Sequence, residues 1–178
     1  GFGIFIPASN SINSEGNRQR MQQTSENMIN TSNLGSVQET MMIPLLGRAI
    51  ETKKKNGIIH DSSSVEIISK LNYDFSKFTD RDSRRSMLRT TTRTVIIDRL
   101  VQNIINENPS LTVVELGCGL NTRFNRVDNG VLTWFDLDMP DVYEVWKKLF
   151  REDGRRQFLP YSAFDTTWIK KVLATQPS

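Results

Sequence analysis

The residue types best suited to chemistry lie on a glycine-rich turn at residues 115–123, which read Glu-Leu-Gly-Cys-Gly-Leu-Asn-Thr-Arg. A flat nucleoside must approach the backbone of such a turn closely. A side chain at Gly117 or Gly119 would obstruct that approach. Glu115, at the start of the turn, would either hold the turn or accept a hydrogen bond from a ligand ammonium group. The pattern indicates a nucleoside-cofactor site.

A second acidic position follows the turn, where the apolar segment 132–137 leads into Asp136 and Asp138. In open α/β folds, a carboxylate at the end of the second strand binds the hydroxyl groups of a ribose. Asp138 is the first choice for this role and Asp136 the second.

The type of cofactor is narrowed by Thr122, which stands where the dinucleotide fingerprint Gly-x-Gly-x-x-Gly has its third glycine. This disfavours NAD, because its pyrophosphate needs that glycine and a long helix N-terminus. S-adenosylmethionine (SAM) has no phosphate and tolerates a looser turn. Spacing alone favours a SAM site and leaves open another nucleotide, including that of an oxidoreductase, and a purely structural turn.

The elements that must position this turn predict an α/β fold with a parallel sheet. The strand 111–116 is continuously apolar, as a strand buried on both faces requires. The helix 83–106 has a predicted apolar face at five positions, Ile97, Leu100, Val101, Ile104 and Ile105. The other predicted elements are a helix at 37–52 interrupted by Pro44, a short helix capped by Ser63 and Glu66, strands 132–137 and 157–161, and helices 141–151 and 168–173.

Composition excludes several other classes of protein. The 178 residues include one cysteine, Cys118, and one histidine, His60, so neither an internal disulfide nor a Cys/His zinc site is expected. The net charge of +3 is small, and no apolar run approaches the length of a membrane helix. We therefore expect a cytoplasmic protein with no nucleic-acid or membrane partner. The arginine cluster at positions 81, 84, 85, 89 and 93 is interpreted mainly as a solvated helix face.

Residues 113–126 (VVELGCGLNTRFNR) and 134–140 (WFDLDMP) closely resemble the leucine carboxyl methyltransferase family, in the branch of tetracenomycin-type polyketide O-methyltransferases. Arg93 with Asp98, the segment 72–78 and the pair Ser162 and Trp168 match further motifs in the right order. The resemblance covers roughly residues 37–176. It implies a Rossmann-like class I SAM-dependent methyltransferase fold with an N-terminal helical cap.

The resemblance also implies roles for individual residues. Gly117 and Gly119 would cradle SAM, Asp138 would hold its ribose, and Arg93 would pair with its methionine carboxylate. Arg48 would assist Arg93. Ser162 and Ala163 would border the adenine.

The implied reaction is methyl transfer to a carboxylate or hydroxyl oxygen of a small molecule, such as a polyketide-like metabolite. The catalytic residue remains unknown. The local candidates for a base, His60, Tyr73 and Asp74, are each better interpreted as structural. Cys118 is interpreted as a small filler of the turn rather than a nucleophile.

The sequence predicts a loosely attached leader at 1–36 and the N-terminal part of a methyltransferase domain at 37–178. The motif that follows in the family, Glu-Gly-x-x-x-Tyr, is absent, so the fold is expected to stop after its third strand. Asn121 replaces the usual aspartate of the turn. The alternative function is a non-catalytic binding or scaffold module that self-associates through its open sheet edge.

Overall fold

A computed structural model describes residues 28–30 and 40–175 of the chain. The predicted leader therefore lies outside the described residues except for 28–30, and so does the start of the first predicted helix. No helix within these two ranges combines the length and apolar character needed to cross a membrane.

The described residues form an α/β fold. In chain order the elements are β1 (Ile29–Asn30), α1 (Met42–Thr52), α2 (Ser62–Lys70), β2 (Leu71–Asn72), a 3-10 helix (Phe75–Phe78), α3 (Arg81–Glu107), β3 (Thr112–Leu116), α4 (Arg123–Val127), β4 (Thr133–Asp138), α5 (Pro140–Leu149), β5 (Arg156–Pro160) and α6 (Thr167–Ala174). The predicted helices and strands are all present from α1 onward, but the structure adds β2 and the 3-10 helix between α2 and α3, which were not predicted.

The main sheet has three parallel strands in the order β3-β4-β5. Leu116 lies beside Leu137, which in turn lies beside Leu159, so the three strands end at the same edge of the sheet. The turn after β3, the acidic end of β4 and the loop after β5 therefore share this edge. In open α/β sheets this carboxyl edge is where ligands bind.

Burial differs between the strands of this sheet. Trp134, Phe135 and Leu137 on the central strand β4 are each 1% exposed. The expectation that β3 is buried on both faces is wrong, because its residues are only half-buried and Leu116 is 55% exposed. The reason is position: within the described residues β3 pairs with β4 alone and forms an edge of the sheet.

Helix α3 extends beyond its predicted bounds, from Arg81 to Glu107, with Asp80 as its N-cap. The predicted apolar face is only partly correct. Ile105 is buried and Val101 packs against the same core cluster, but Leu100 and Ile104 are more than half exposed. Helical spacing identified an apolar stripe but not how much of its width around the helix a partner covers. The five predicted arginines are exposed, as expected of a solvated face.

Two local predictions about helix starts are also corrected. Pro44 does not interrupt α1, because it is the third residue of the helix, where a missing N–H leaves no helical carbonyl unpaired. Helix α2 is capped by Asp61 rather than by Ser63. The Asp61 Oδ1 accepts a hydrogen bond from the backbone N–H of Ser64 at 3.1 Å, and Ser63 lies inside the helix.

The closest approach of α1 and α3 occurs at Gly47. A Cβ atom at this position would lie 2.7 Å from Thr91 Oγ1 and 3.0 Å from the Met87 carbonyl oxygen. Both distances are shorter than van der Waals contact, so this approach requires glycine.

We expect Gly47→Val to lower the free energy of unfolding by about 2 kcal/mol, because overpacking forces the two helices apart. Urea denaturation followed by circular dichroism measures the change. Gly154→Val is the control, since a Cβ there meets nothing within 4 Å. Equal stability losses in the two variants would contradict this view of the helix contact.

Candidate functional site

The glycine-rich turn is held against the end of the neighbouring strand. The backbone N–H groups of Gly117 and Cys118 both donate to the Leu137 carbonyl oxygen, at 2.8 Å and 3.2 Å. Gly117 and Gly119 have φ values of +64° and +51°, a region that side chains disfavour. A Cβ at Gly117 would meet nothing within 4 Å. The turn thus presents open backbone at the sheet edge.

A cleft of about 740 Å³ lies above the turn, and we call it the turn cleft. Its walls come from α1, α3, the turn itself and the residues that follow β4. The structure brings five of the seven predicted cofactor-binding residues to this cleft: Arg93, Glu115, Gly117, Gly119 and Asp138. A volume of this size suits a small organic cofactor.

The other two predicted residues, Ser162 and Ala163, do not line the turn cleft. They follow β5 at the same sheet edge. The Ser162 Oγ accepts from the Phe164 N–H at 3.3 Å, and the Ala163 carbonyl oxygen accepts from Trp168 Nε1 at 3.4 Å. Their assignment to the adenine stays a prediction.

The geometry separates the two aspartates of β4. Asp138 lines the cleft, where its Oδ2 accepts from the Gly119 N–H at 2.7 Å and its Oδ1 from the Met139 N–H at 2.8 Å. Asp136 is fully buried and accepts from Arg156 Nε at 2.7 Å and from Trp134 Nε1 at 3.1 Å. Only Asp138, the first choice, faces a ligand space.

Only one of the two carboxylate oxygens of Glu115 forms hydrogen bonds that hold the turn. Its Oε1 accepts from Asn121 Nδ2 at 2.6 Å and from Arg123 Nη1. Its Oε2 is buried and has no hydrogen-bond partner among the described residues. Burial raises the pKa of Glu115 to about 7, although the nearby guanidinium of Arg123 opposes the shift. Glu115 therefore holds the turn and keeps one acceptor atom for a ligand.

Beneath the turn lies a group of alternating charges that we call the ion cluster. Its members are three arginines and three carboxylates: Arg48, Asp61, Asp98, Glu115, Arg123 and Arg126. The Asp98 carboxylate accepts from Arg123 Nε at 2.8 Å and from Arg126 Nε at 2.7 Å. Asp61 Oδ2 accepts from Arg126 Nη1 and Arg48 Nε, both at 2.9 Å. The cluster joins α1, α3 and the loop before α2, which together we call the helical cap, to the turn.

Arg48 belongs to this cluster, which changes its expected role. It is 2% exposed, and besides Asp61 it donates through Nη2 to the Leu120 carbonyl oxygen at 2.9 Å. Burial lowers its pKa to about 10, and the carboxylate of Asp61 opposes this shift. Although Arg48 lines the cleft, its donors already support the turn, so we assign it a structural role.

Arg93 is in the opposite situation. It is exposed on α3, it lines the turn cleft, and it forms no ion pair within the described part of the chain. A guanidinium with free paired donors is suited to a carboxylate ligand. The role of Arg93 in binding stays a prediction, and the sequence gave no sign that Arg123 and Arg126 are the arginines that hold the turn.

None of the remaining chemical candidates His60, Tyr73 and Asp74 lines the turn cleft. Asp74 accepts from the Ser76 N–H at 2.9 Å and caps the 3-10 helix. The Tyr73 ring packs beside two phenylalanine rings. Cys118 is 4% exposed, and burial raises the pKa of its thiol, so a thiolate nucleophile is disfavoured.

Comparison with known proteins agrees with this geometry. The family described as leucine carboxyl methyltransferase matches residues 41–165. The chain is 28% identical over 149 residues to the tetracenomycin polyketide synthesis O-methyltransferase TcmP of Streptomyces glaucescens, covering 83% of this chain and 54% of that protein. It is 27% identical over 150 residues to the S-adenosyl-L-methionine-dependent methyltransferase dpfgK of Gibberella zeae, covering 77% and 50%. The chain thus spans about half the length of each relative.

We expect Asp98→Asn to lower the free energy of unfolding by about 3–5 kcal/mol, because it leaves two arginines of the ion cluster short of a counter-charge. The matched control on the same helix is Asp82→Asn, whose side chain is 93% exposed and whose ion pair with Arg85 spans 4.0 Å. This control should unfold like the parent protein. Equal denaturation midpoints for the two variants would show that the cluster does not support the fold.

Proposed function

The chain belongs to the leucine carboxyl methyltransferase family, and from this we propose that it carries the cofactor site of a SAM-dependent O-methyltransferase. The proposed reaction transfers a methyl group to a carboxylate or hydroxyl oxygen of a small-molecule acceptor. The observation that carries the proposal is the turn cleft, which collects a free guanidinium, a buried unpaired carboxylate oxygen and two glycines at one sheet edge.

The polar groups of the cleft are complementary to the methionine end and to the ribose of SAM. The methionine end carries a carboxylate and an ammonium group, for which Arg93 and the Oε2 of Glu115 are complementary partners. The ribose has two hydroxyl donors. Each oxygen of Asp138 accepts one backbone N–H, which leaves lone pairs on both for these hydroxyls. We also propose that Ser162 and Ala163, which follow β5 at the same sheet edge, border the adenine of SAM.

When bound, SAM supplies a methyl group on a sulfonium centre that is reactive towards an oxygen nucleophile. The contribution of this chain is to bind and orient the cofactor, and alignment of the reacting atoms is a major source of rate in such transfers. The bare turn at Gly117 admits the nucleoside, and the ion cluster keeps the turn in place. A carboxylate acceptor needs no base from the protein.

The acceptor and the location are part of the same proposal. The name of one relative contains polyketide synthesis and O-methyltransferase, which supports a polyketide-like acceptor. The proposed location is cytoplasmic, with which a free and buried Cys118 is compatible.

A second candidate function is a binding module that pairs its sheet edge with another copy of the chain. It is favoured by β3, whose outer edge has no strand partner within the described residues and whose Leu116 is 55% exposed. A protein that is monomeric by light scattering and transfers methyl groups would exclude this candidate.

We expect SAM binding, measured by isothermal titration of the intact protein, to weaken at least about tenfold in Arg93→Ala and in Asp138→Asn, since each removes a charge-assisted contact. Arg99→Ala is the control, because Arg99 is an exposed arginine of α3 outside the cleft. Unchanged affinity in both site variants, or no binding by the parent protein, would refute the proposed site.

The raised pKa of Glu115 predicts a pH dependence of this binding. With a pKa of about 7 in the free protein, the carboxyl is mostly protonated and neutral at pH 5.5 and gains its charge as pH rises. Because only the ionised form attracts the ammonium group of SAM, affinity should increase between about pH 5.5 and about pH 7.5.

In Glu115→Gln this increase should disappear, and affinity at about pH 7.5 should resemble that of the parent protein near pH 5.5. Titrations at several pH values in buffers of matched ionisation enthalpy measure both effects. An identical pH profile in the two proteins would assign the dependence to another group.

A further inference from the structure

A second cavity, of about 530 Å³, lies between α1, the 3-10 helix and α3, and we call it the helix cavity. Most of its wall is apolar: Leu46, Ile50, Phe75, Phe78, Met87 and Leu88. Among the described residues it shares no lining residue with the turn cleft. The cavity is partly open to solvent, and a concave, mostly apolar wall with a few polar groups is typical of sites for small organic molecules.

The helix cavity and the turn cleft lie on different sides of the contact between α1 and α3. Leu46 lines the cavity, whereas Arg48, two residues later on α1, lines the cleft. On α3, Leu88 lines the cavity and Thr90 lines the cleft. Side chains two positions apart on a helix point about 200° away from each other. A molecule in the cavity therefore has the helix pair between itself and the cofactor site.

The charges at the cavity favour an anion. Lys54 and Arg84 contribute two positive charges and Glu51 one negative charge, which leaves one positive charge in excess. Glu51 is paired with Lys54 and its Oε2 also accepts from the Ile58 N–H at 3.4 Å. Arg84 is exposed and forms no ion pair within the described ranges. The free cation of the wall is therefore Arg84.

One buried polar atom also belongs to this wall. Thr91 is fully buried and lines the cavity, and its Oγ1 has no hydrogen-bond partner among the described residues. A buried hydroxyl without a partner costs free energy. This oxygen faces the contact with α1, because a Cβ atom at Gly47 would lie 2.7 Å from it, so its unpaired state is a cost of the close helix contact rather than a mark of a ligand.

We propose that the helix cavity is a second binding site, separate from the cofactor site, for a small aromatic carboxylate. The rings of Phe75 and Phe78 and the side chains of Leu46 and Ile50 contact its apolar body, and Arg84 pairs with its carboxylate. Its separation from the turn cleft means that this molecule is not the methyl acceptor. The proposal stands on its own residues and does not depend on the proposed function.

The first test measures charge recognition with 2-naphthoate and its neutral analogue 2-naphthol, titrated into the intact protein. We expect both probes to bind and Arg84→Glu to weaken naphthoate at least about tenfold while changing naphthol less than about twofold. Arg81→Glu is the matched control, because Arg81 is an exposed arginine of the same helix outside the cavity. Failure of naphthoate to bind, or equal effects of the two arginine substitutions, would overturn the proposal.

The second test locates the site. Ile50→Trp should fill the cavity and abolish binding of both probes, with folding checked by thermal unfolding. If Ile50→Trp does not fold, Thr79→Trp, at an exposed position of the same wall, replaces it as the cavity-filling variant. Naphthoate should still bind in the presence of saturating S-adenosylhomocysteine. Displacement by that compound, or full binding to a folded cavity-filled variant, would place the probe elsewhere and refute the site.

Discussion

The structure depends on a buried balance of charge beneath the glycine-rich turn. The three arginines and three carboxylates of the ion cluster come from α1, the loop before α2, α3, the end of β3 and α4. A buried charge costs several kcal/mol unless an opposite charge and hydrogen bonds compensate it. Displacing any of these five elements would leave part of that cost uncompensated. The cluster therefore fixes the helical cap relative to the sheet, and the turn relative to both.

This constraint explains how an irregular turn serves as a binding surface. Gly117 and Gly119 give the unfolded chain extra conformational freedom, which is lost when the turn forms. Contacts with neighbouring residues must therefore hold the turn in one conformation. Here the Leu137 carbonyl oxygen, Asp138 and Glu115 hold the turn from three directions. One oxygen of Glu115 remains unpaired. The site is thus ordered before a ligand arrives, which reduces the entropy lost on binding.

Local features of the fold were predictable because short-range patterns determine them. The parallel strands, the proline at the start of α5 and the choice of Asp138 over Asp136 follow from apolar runs and spacing. The pairing of Asp61 with Arg126 was not predictable, since the two lie 65 residues apart and any of several arginines could have been the partner. The exposure of Leu100 and Ile104 was missed for a related reason: periodicity shows which face of a helix is apolar but not how far around that face its partner reaches.

The contact between α1 and α3 connects the two ligand spaces of the molecule. The same two helices supply walls to the turn cleft and to the helix cavity, and Gly47 brings them too close for a Cβ atom to intervene. A small shift of one helix against the other would therefore change both spaces together. Coupling also requires that a ligand bind the shifted and unshifted arrangements with different affinity. If it does, linkage demands that each ligand change the affinity for the other by the same factor.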